Sequence, residues 1–252
     1  MGTALITGAS TGLGEEFAWQ LATVHHNLVL VARDVARLET LAARLRAAAG
    51  VRVEVLPADL SQSQDTSRVA ARLSQTEQPV GLLINNAGFG TRVGFMDATP
   101  QTLQAELDVM VRAVMELSHA AAQSMAARGR GAILNISSVA AYTAGGTYSA
   151  AKAWVKTFSE SLAVELKGSG VTVTALVVGL TRTEFHARAG LDYRHYPNLA
   201  WLSAADVVAR ALADVRRGAV LSTPSLRYGL AGQVARVMPR WLMRLISEPE
   251  DR

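Results

Sequence analysis

The chain has 252 residues, half of them apolar, and a formal net charge of +4. That is enough to bury a sizeable core, so one domain over 1–252 is expected; the lack of cysteine excludes disulfides, thiolate metal sites and a cysteine nucleophile. The basic residues are scattered and aromatics are few, which speaks against nucleic acid as a partner.

Strand-like residues from Thr3 leave no room for a signal peptide, and Ile6 stands where a myristoylation signal wants Ser or Thr. No apolar run is long enough to span a bilayer, and a cytoplasmic protein is expected. In chain order, apolar runs at 3–7, 28–32, 51–56, 80–85, 132–137, 171–177 and 219–222 read as strands. Most are bare β-branched runs, as in a parallel sheet covered on both faces. Helical patterns lie between them at 15–24, 35–49, 65–75, 102–128, 148–168 and 204–216. Ser203 or Asp206 is placed to start the last of these. This alternation predicts an α/β fold, a single doubly wound parallel sheet with ligands at the carboxyl ends of its strands.

Two segments escape the pattern. Residues 183–202 carry His186, Tyr193, His195, Tyr196, Pro197 and Trp201 and are expected to form a lid that excludes water. No histidine pair has metal-ligand spacing on a predicted helix, so no metal is expected. Residues 226–252 extend past the last strand. There Val234, Val237, Met238, Trp241, Leu242 and Leu245 recur at helical spacing beside Arg236, Arg240 and Arg244. Pro239 divides the stretch into two short predicted helices. Packing against the core or a partner subunit is expected, and a basic amphipathic surface for a membrane or a long acyl substrate is the alternative.

Thr7-Gly8-Ala9-Ser10-Thr11-Gly12-Leu13-Gly14 joins the first strand to the first helix. Glycines let such a turn approach a pyrophosphate at a helix N-terminus, so a dinucleotide site is expected here. The second strand ends in Ala32-Arg33, without the acid that would bond the ribose hydroxyls of NAD. The Arg33 guanidinium suits a 2′-phosphate, which favours NADP(H) over NAD(H); its other reading is a solvated surface charge. Asp34 follows, and is also placed to N-cap the next helix. Tyr148 and Lys152 lie four residues apart on one predicted helix, so both side chains point the same way. An ammonium beside a phenol favours phenolate, and a proton donor with a dinucleotide points to hydride transfer to a carbonyl. An ordinary helix pair is the competing reading.

These motifs, with Ala58-Asp59-Leu60, Asn85-Asn86-Ala87-Gly88, Ser137-Ser138 and Gly179-x-x-x-Thr183, resemble the short-chain dehydrogenase/reductase family over nearly the whole length. The Gly146–Lys152 motif and the C-terminal tail are similar to its 3-oxoacyl and keto-lipid reductases. The resemblance implies a catalytic set of Ser138, Tyr148 and Lys152, with Tyr148 as general acid and Ser138 orienting the carbonyl. It implies cofactor contacts from Gly8, Ser10, Thr11, Gly12, Leu13, Gly14, Arg33, Asp59, Leu60, Asn85, Ala87, Gly88, Tyr148, Lys152, Gly179, Thr181 and Thr183. Ser137 is the alternative to Ser138, since neighbouring strand residues face opposite ways. A small carbonyl substrate, lipid-like in the leading reading, and a homodimer or homotetramer pairing 102–128 and 148–168 are implied. The alternatives are an NAD-linked alcohol or steroid dehydrogenase and a non-catalytic nucleotide sensor.

The sequence departs from the family pattern at three places. Met110 stands where the family carries an asparagine that holds a helix kink, and a thioether cannot make that bond. The loop from Ser138 to Tyr148 is a few residues shorter than is common, and Val178 replaces a proline.

Overall fold

The computed structural model describes residues 2–90, 93–185 and 197–247. Its strands are β1 (Thr3–Thr7), β2 (Asn27–Ala32), β3 (Val53–Pro57), β4 (Val80–Asn85), β5 (Gly131–Ser138), β6 (Val171–Val178) and β7 (Leu221–Ser222). They form one parallel sheet in the order β3-β2-β1-β4-β5-β6-β7. The expected doubly wound sheet is therefore present, and its order reverses between β1 and β4, which opens a ligand crevice at their carboxyl ends.

The bare apolar runs are buried on both faces because successive side chains enter opposite layers. Ile6, Leu28, Leu30 and Ile84 pack with Phe17, Leu38 and Val208. Leu5, Val29, Val31 and Leu83 pack with Val69, Leu117 and Ala151. The first layer holds α1 (Gly12–Thr23), α2 (Val35–Ala49) and α7 (Ala204–Arg216); the second holds α3 (Ser63–Leu73), α5 (Ala113–Ala127) and α6 (Gly146–Glu165). Asp34 does N-cap α2, its carboxylate accepting from the Arg37 amide at 3.0 Å. Ser203 caps α7 in the same way, accepting from the Asp206 amide at 3.5 Å.

The long helix expected at 102–128 is broken. It consists of α4 (Pro100–Leu107), a π-helical turn over Asp108–Arg112, and α5. Apolar periodicity does not register one extra residue per turn, so the break is invisible in the pattern. Met110 sits inside this turn, so the kink exists without the asparagine. Thr99 N-caps α4 ahead of Pro100, a start signal that begins the helix earlier than the expected 102.

The C-terminal extension forms α8 (Leu226–Val237) and α9 (Arg240–Ile246), divided at Pro239 as expected. Their apolar stripe does not pack on the core. Val237 is 84% and Trp241 63% exposed, and the buried side of α9 is carried by Met243 instead. Among the described residues no helix is long and apolar enough to cross a membrane.

A polar chain ties the two central strands to their helices. The Asn85 amide donates to Asn135 Oδ1 at 2.8 Å and to Ser118 Oγ on α5 at 3.0 Å. The Asn135 amide donates to Ser159 Oγ on α6 at 3.0 Å, and Ser159 donates to the Val155 carbonyl. All four side chains are buried, so each partner lost leaves a desolvated group behind. Asn135→Ala should lower stability by roughly 1–3 kcal/mol in denaturant unfolding, with Asn85 left unpaired. An unchanged midpoint would mean the chain of bonds contributes little.

Candidate functional site

The crevice is bordered by the turn after β1 and the segment after β4, and these are fastened together. Asn86 donates from its amide nitrogen to the carbonyls of Thr7, at 2.9 Å, and Gly8, at 3.1 Å. The Thr7 hydroxyl oxygen accepts from the backbone amides of Asn86 and Ala87, both at 3.0 Å. Gly8 turns with φ of 65°, and a side chain at Gly14 would collide with the Gly8 carbonyl. Asn86 is thus the brace of the turn, a role the sequence reading did not assign. The signal was its place between Asn85 and Ala87, directly past a strand end.

The turn fits a pyrophosphate. Thr11 is the N-cap of α1 yet its side chain makes no capping bond, so first-turn amides of the helix remain open to an anion. Arg33 is exposed and forms no ion pair among the described residues. Its neighbour Arg37 pairs with Asp34 and Glu184 beside a cleft of about 320 Å³ that Ser10 and Thr11 also line. Asp59 uses Oδ1 to accept from the Ser61 amide and hydroxyl, while its own amide donates to Asp65. Leu60 is buried in the second layer. Asn85 faces the interior, as described above. Ala87 and Gly88 continue the crevice wall, and Gly88 lies bare beside the Lys152 ammonium and the Met110 thioether.

Tyr148 and Lys152 come from the first turns of α6. Gly146 opens that helix, and Thr147 donates to Oε2 of the buried Glu106 at 2.6 Å, which ties the helix start to α4. No sequence motif marks Glu106. The Lys152 Nζ lies 5.6 Å from the Tyr148 ring centroid and donates to the Ile136 carbonyl at 2.9 Å. Lys152 is 5% exposed, and burial lowers its pKa from 10.5 to about 8. Met110 contributes to that burial from the π-helical turn.

The two serines separate cleanly. Ser137 is buried and donates to the Lys152 carbonyl at 2.8 Å, fastening α6 to β5. Ser138 points the other way and accepts from the Ala140 amide at 3.1 Å, capping a short 3₁₀ turn over Val139–Tyr142. Accepting leaves its hydroxyl hydrogen available to a second group. The shorter loop runs through that 3₁₀ turn into α6.

At the far side, Thr181 is buried, pairs with Leu202 in an isolated bridge, and donates to the Gly179 carbonyl at 3.1 Å. Thr183 packs over Gly12, and Phe185 lies 6.0 Å from the Tyr148 ring. Both ends of the expected lid are therefore held at the crevice. Its centre, with His186, Tyr193, His195 and Tyr196, lies outside the described residues.

Burying a lysine costs stability. The lowered pKa corresponds to a penalty on the order of 3 kcal/mol at neutral pH. Lys152→Met removes it but leaves the Ile136 carbonyl unpartnered, so a net gain of about 1–2 kcal/mol is expected at pH 7. The folded pKa is below the unfolded one, so the wild type gains stability as pH rises from about 8 toward 10.5. The variant's advantage should narrow over that window in thermal melts, and a pH-independent difference would refute the burial penalty.

The chain matches the short chain dehydrogenase family over residues 2–194. Over 190 residues it is 38% identical to the very-long-chain 3-oxoacyl-CoA reductase of Podospora anserina, covering 71% of this chain and 55% of that protein. The chain spans about half the length of the curated reductases it matches. Among solved structures, it is similar to a short-chain dehydrogenase from Sphingobium yanoikuyae in complex with NADPH. That match has 35% identity and a TM-score of 0.86, over 100% of this chain and 98% of the other. It is also similar to the bulky-bulky ketone specific alcohol dehydrogenase from Comamonas testosteroni, at 32% identity and a TM-score of 0.82, over 100% and 96% of the two chains. The chain belongs to the short-chain dehydrogenase family.

Proposed function

We propose that this protein is an NADP(H)-dependent reductase that converts a ketone, of the 3-oxoacyl or another bulky class, to a secondary alcohol. The observation that carries the reading is the buried Lys152 ammonium held beside the Tyr148 ring, behind a serine whose hydroxyl hydrogen is available. The similar reductases and ketone-specific dehydrogenase support the substrate class. The NADPH-bound relative and the unpaired Arg33 support the cofactor.

The open amides of α1, with Gly8, Ser10, Thr11, Gly12, Leu13 and Gly14, would hold the pyrophosphate, and Arg33 the 2′-phosphate. NADPH, when bound, supplies the hydride. Ser138 donates a hydrogen bond to the substrate oxygen and fixes its position. Tyr148 gives that oxygen a proton as negative charge builds on it. A free phenol, with a pKa of about 10, is a poor acid partner at neutral pH. The nearby ammonium favours phenolate and brings the proton within reach of transfer. Lys152 remains mostly charged at pH 7, since about 8 lies above that pH. Ser137 and Ile136 hold the lysine's backbone and head, so the charge stays aimed.

One domain over 1–252, a lid over 183–202 and a homodimer or homotetramer complete the reading. Leu107, Met115 and Val164 leave apolar side chains exposed on α4, α5 and α6, as a helical contact between copies would use. The NAD-linked dehydrogenase reading lacks an acid bonding partner at Arg33.

Tyr148→Phe should cut turnover by roughly 10²–10⁴-fold while NADPH quenching of tryptophan fluorescence is kept. Arg33→Ala should weaken NADPH by roughly 10–100-fold and leave NADH binding unchanged. Equal losses for both cofactors would remove the 2′-phosphate assignment, and turnover surviving Tyr148→Phe would remove the proton donor.

A further inference from the structure

A second cavity lies away from the dinucleotide turn. It has a volume of about 310 Å³ and is enclosed by α7, β7 and α8. Arg210, Arg217 and Arg236 line it, with Tyr142 and Tyr228 among its other walls. Asp214 is the one acid lining it, and it is buried. That carboxylate accepts from the Ser222 hydroxyl at 2.7 Å and from Arg210 Nε at 3.2 Å, and pairs with Arg217. Arg236 forms no ion pair among the described residues. Three guanidiniums against one carboxylate leave two positive charges at the cavity.

This arrangement suits phosphate groups. Guanidinium forks match phosphate oxygens in bidentate fashion. Two of the three are already held by Asp214, so less rotamer freedom is lost when an anion binds. The tyrosines add flat faces on which a purine can stack.

The cavity also adjoins the reacting end of the crevice. Tyr142 ends the 3₁₀ turn that Ser138 caps, and four residues reach at most ~14 Å. Lys156, one helical turn past Lys152, lies 5.7 Å from the Tyr142 ring. Tyr228 packs where a side chain on Gly179 would stand. Its hydroxyl accepts from the Leu180 amide and donates to the Ala200 carbonyl, which ties it to both ends of the segment over the crevice. With the 3-oxo carbon of a 3-oxoacyl thioester at Ser138 and Tyr148, the pantetheine arm beyond the thioester is longer than that reach and can bend to bring nucleotide phosphates to the cavity.

We propose that the cavity binds the phosphates of the coenzyme A portion of a 3-oxoacyl thioester, as an anion site distinct from that of the dinucleotide. This rests on the ketone-reductase reading and specifies the carrier of its substrate.

The test uses the full chain saturated with NADPH. Coenzyme A and adenosine 3′,5′-bisphosphate are titrated calorimetrically into the wild type and into an Arg210→Gln/Arg236→Gln variant. Both arginines are exposed, and thermal melts check that the variant folds. Coenzyme A should bind the wild type and bind the variant at least ~10-fold more weakly. For a 3-oxoacyl-CoA, KM should rise by a similar factor with kcat little changed. For the same acyl group on N-acetylcysteamine, which lacks the nucleotide, KM should not move. Equal coenzyme A affinity in both proteins, or no binding to a wild type that reduces the N-acetylcysteamine thioester, would overturn the proposal and leave the reductase reading intact. Arginine-dependent coenzyme A binding without reduction of any ketone would overturn the reductase reading instead.

Discussion

A charged lysine buried against β5 is the constraint around which the rest of the site is arranged. Desolvation drives the Lys152 ammonium toward its neutral form, and the Ile136 carbonyl accepts a hydrogen bond from it. Keeping such a group in place needs a rigid frame. The bond from Ser137 to the Lys152 backbone and the Asn85–Asn135–Ser159 chain supply one, fastening α6 to the sheet at two points along the helix. The stability lost to the buried charge is thereby exchanged for a fixed positive potential beside the Tyr148 ring.

The same economy of position operates at the turn after β1. A parallel sheet that reverses order between β1 and β4 brings two loops to one crevice, and Asn86 bonds them together. The amides left open at α1 and the side-chain-free surfaces of the turn follow from that bracing. Arg33 sits at the outer end of the crevice, where solvent would screen a weak contact but a 2′-phosphate would offer a paired one.

Much of this was legible in the residues, and the exceptions have identifiable causes. The strands were readable because unbroken β-branched runs fit only a sheet covered on both faces. Asp34 as an N-cap and Pro239 as a divider were readable because each acts through its own local bonding. The π-helical turn was not, since apolar spacing around Met110 looks the same with or without an inserted residue. Nor was the exposure of the α8–α9 stripe, because helical spacing records which residues share a face and not what covers it. Glu106 and Asn86 escaped for a different reason: each acts through long-range bonds, and for Asn86 only its place just past a strand end hinted at them. The serine pair was half legible. Strand alternation said that one must face inward, and the bond from Ser137 to Lys152 tells which.

The proposed reaction is hydride delivery to a ketone whose oxygen faces Ser138 and Tyr148. The most direct measurement supplies NADPH deuterated at nicotinamide C4, in each of its two configurations, with a 3-oxoacyl thioester, and reads the product by mass spectrometry. Deuterium is expected on the new carbinol carbon from one configuration and not from the other. A product without label from either, or no 3-hydroxyacyl product at all, would contradict it.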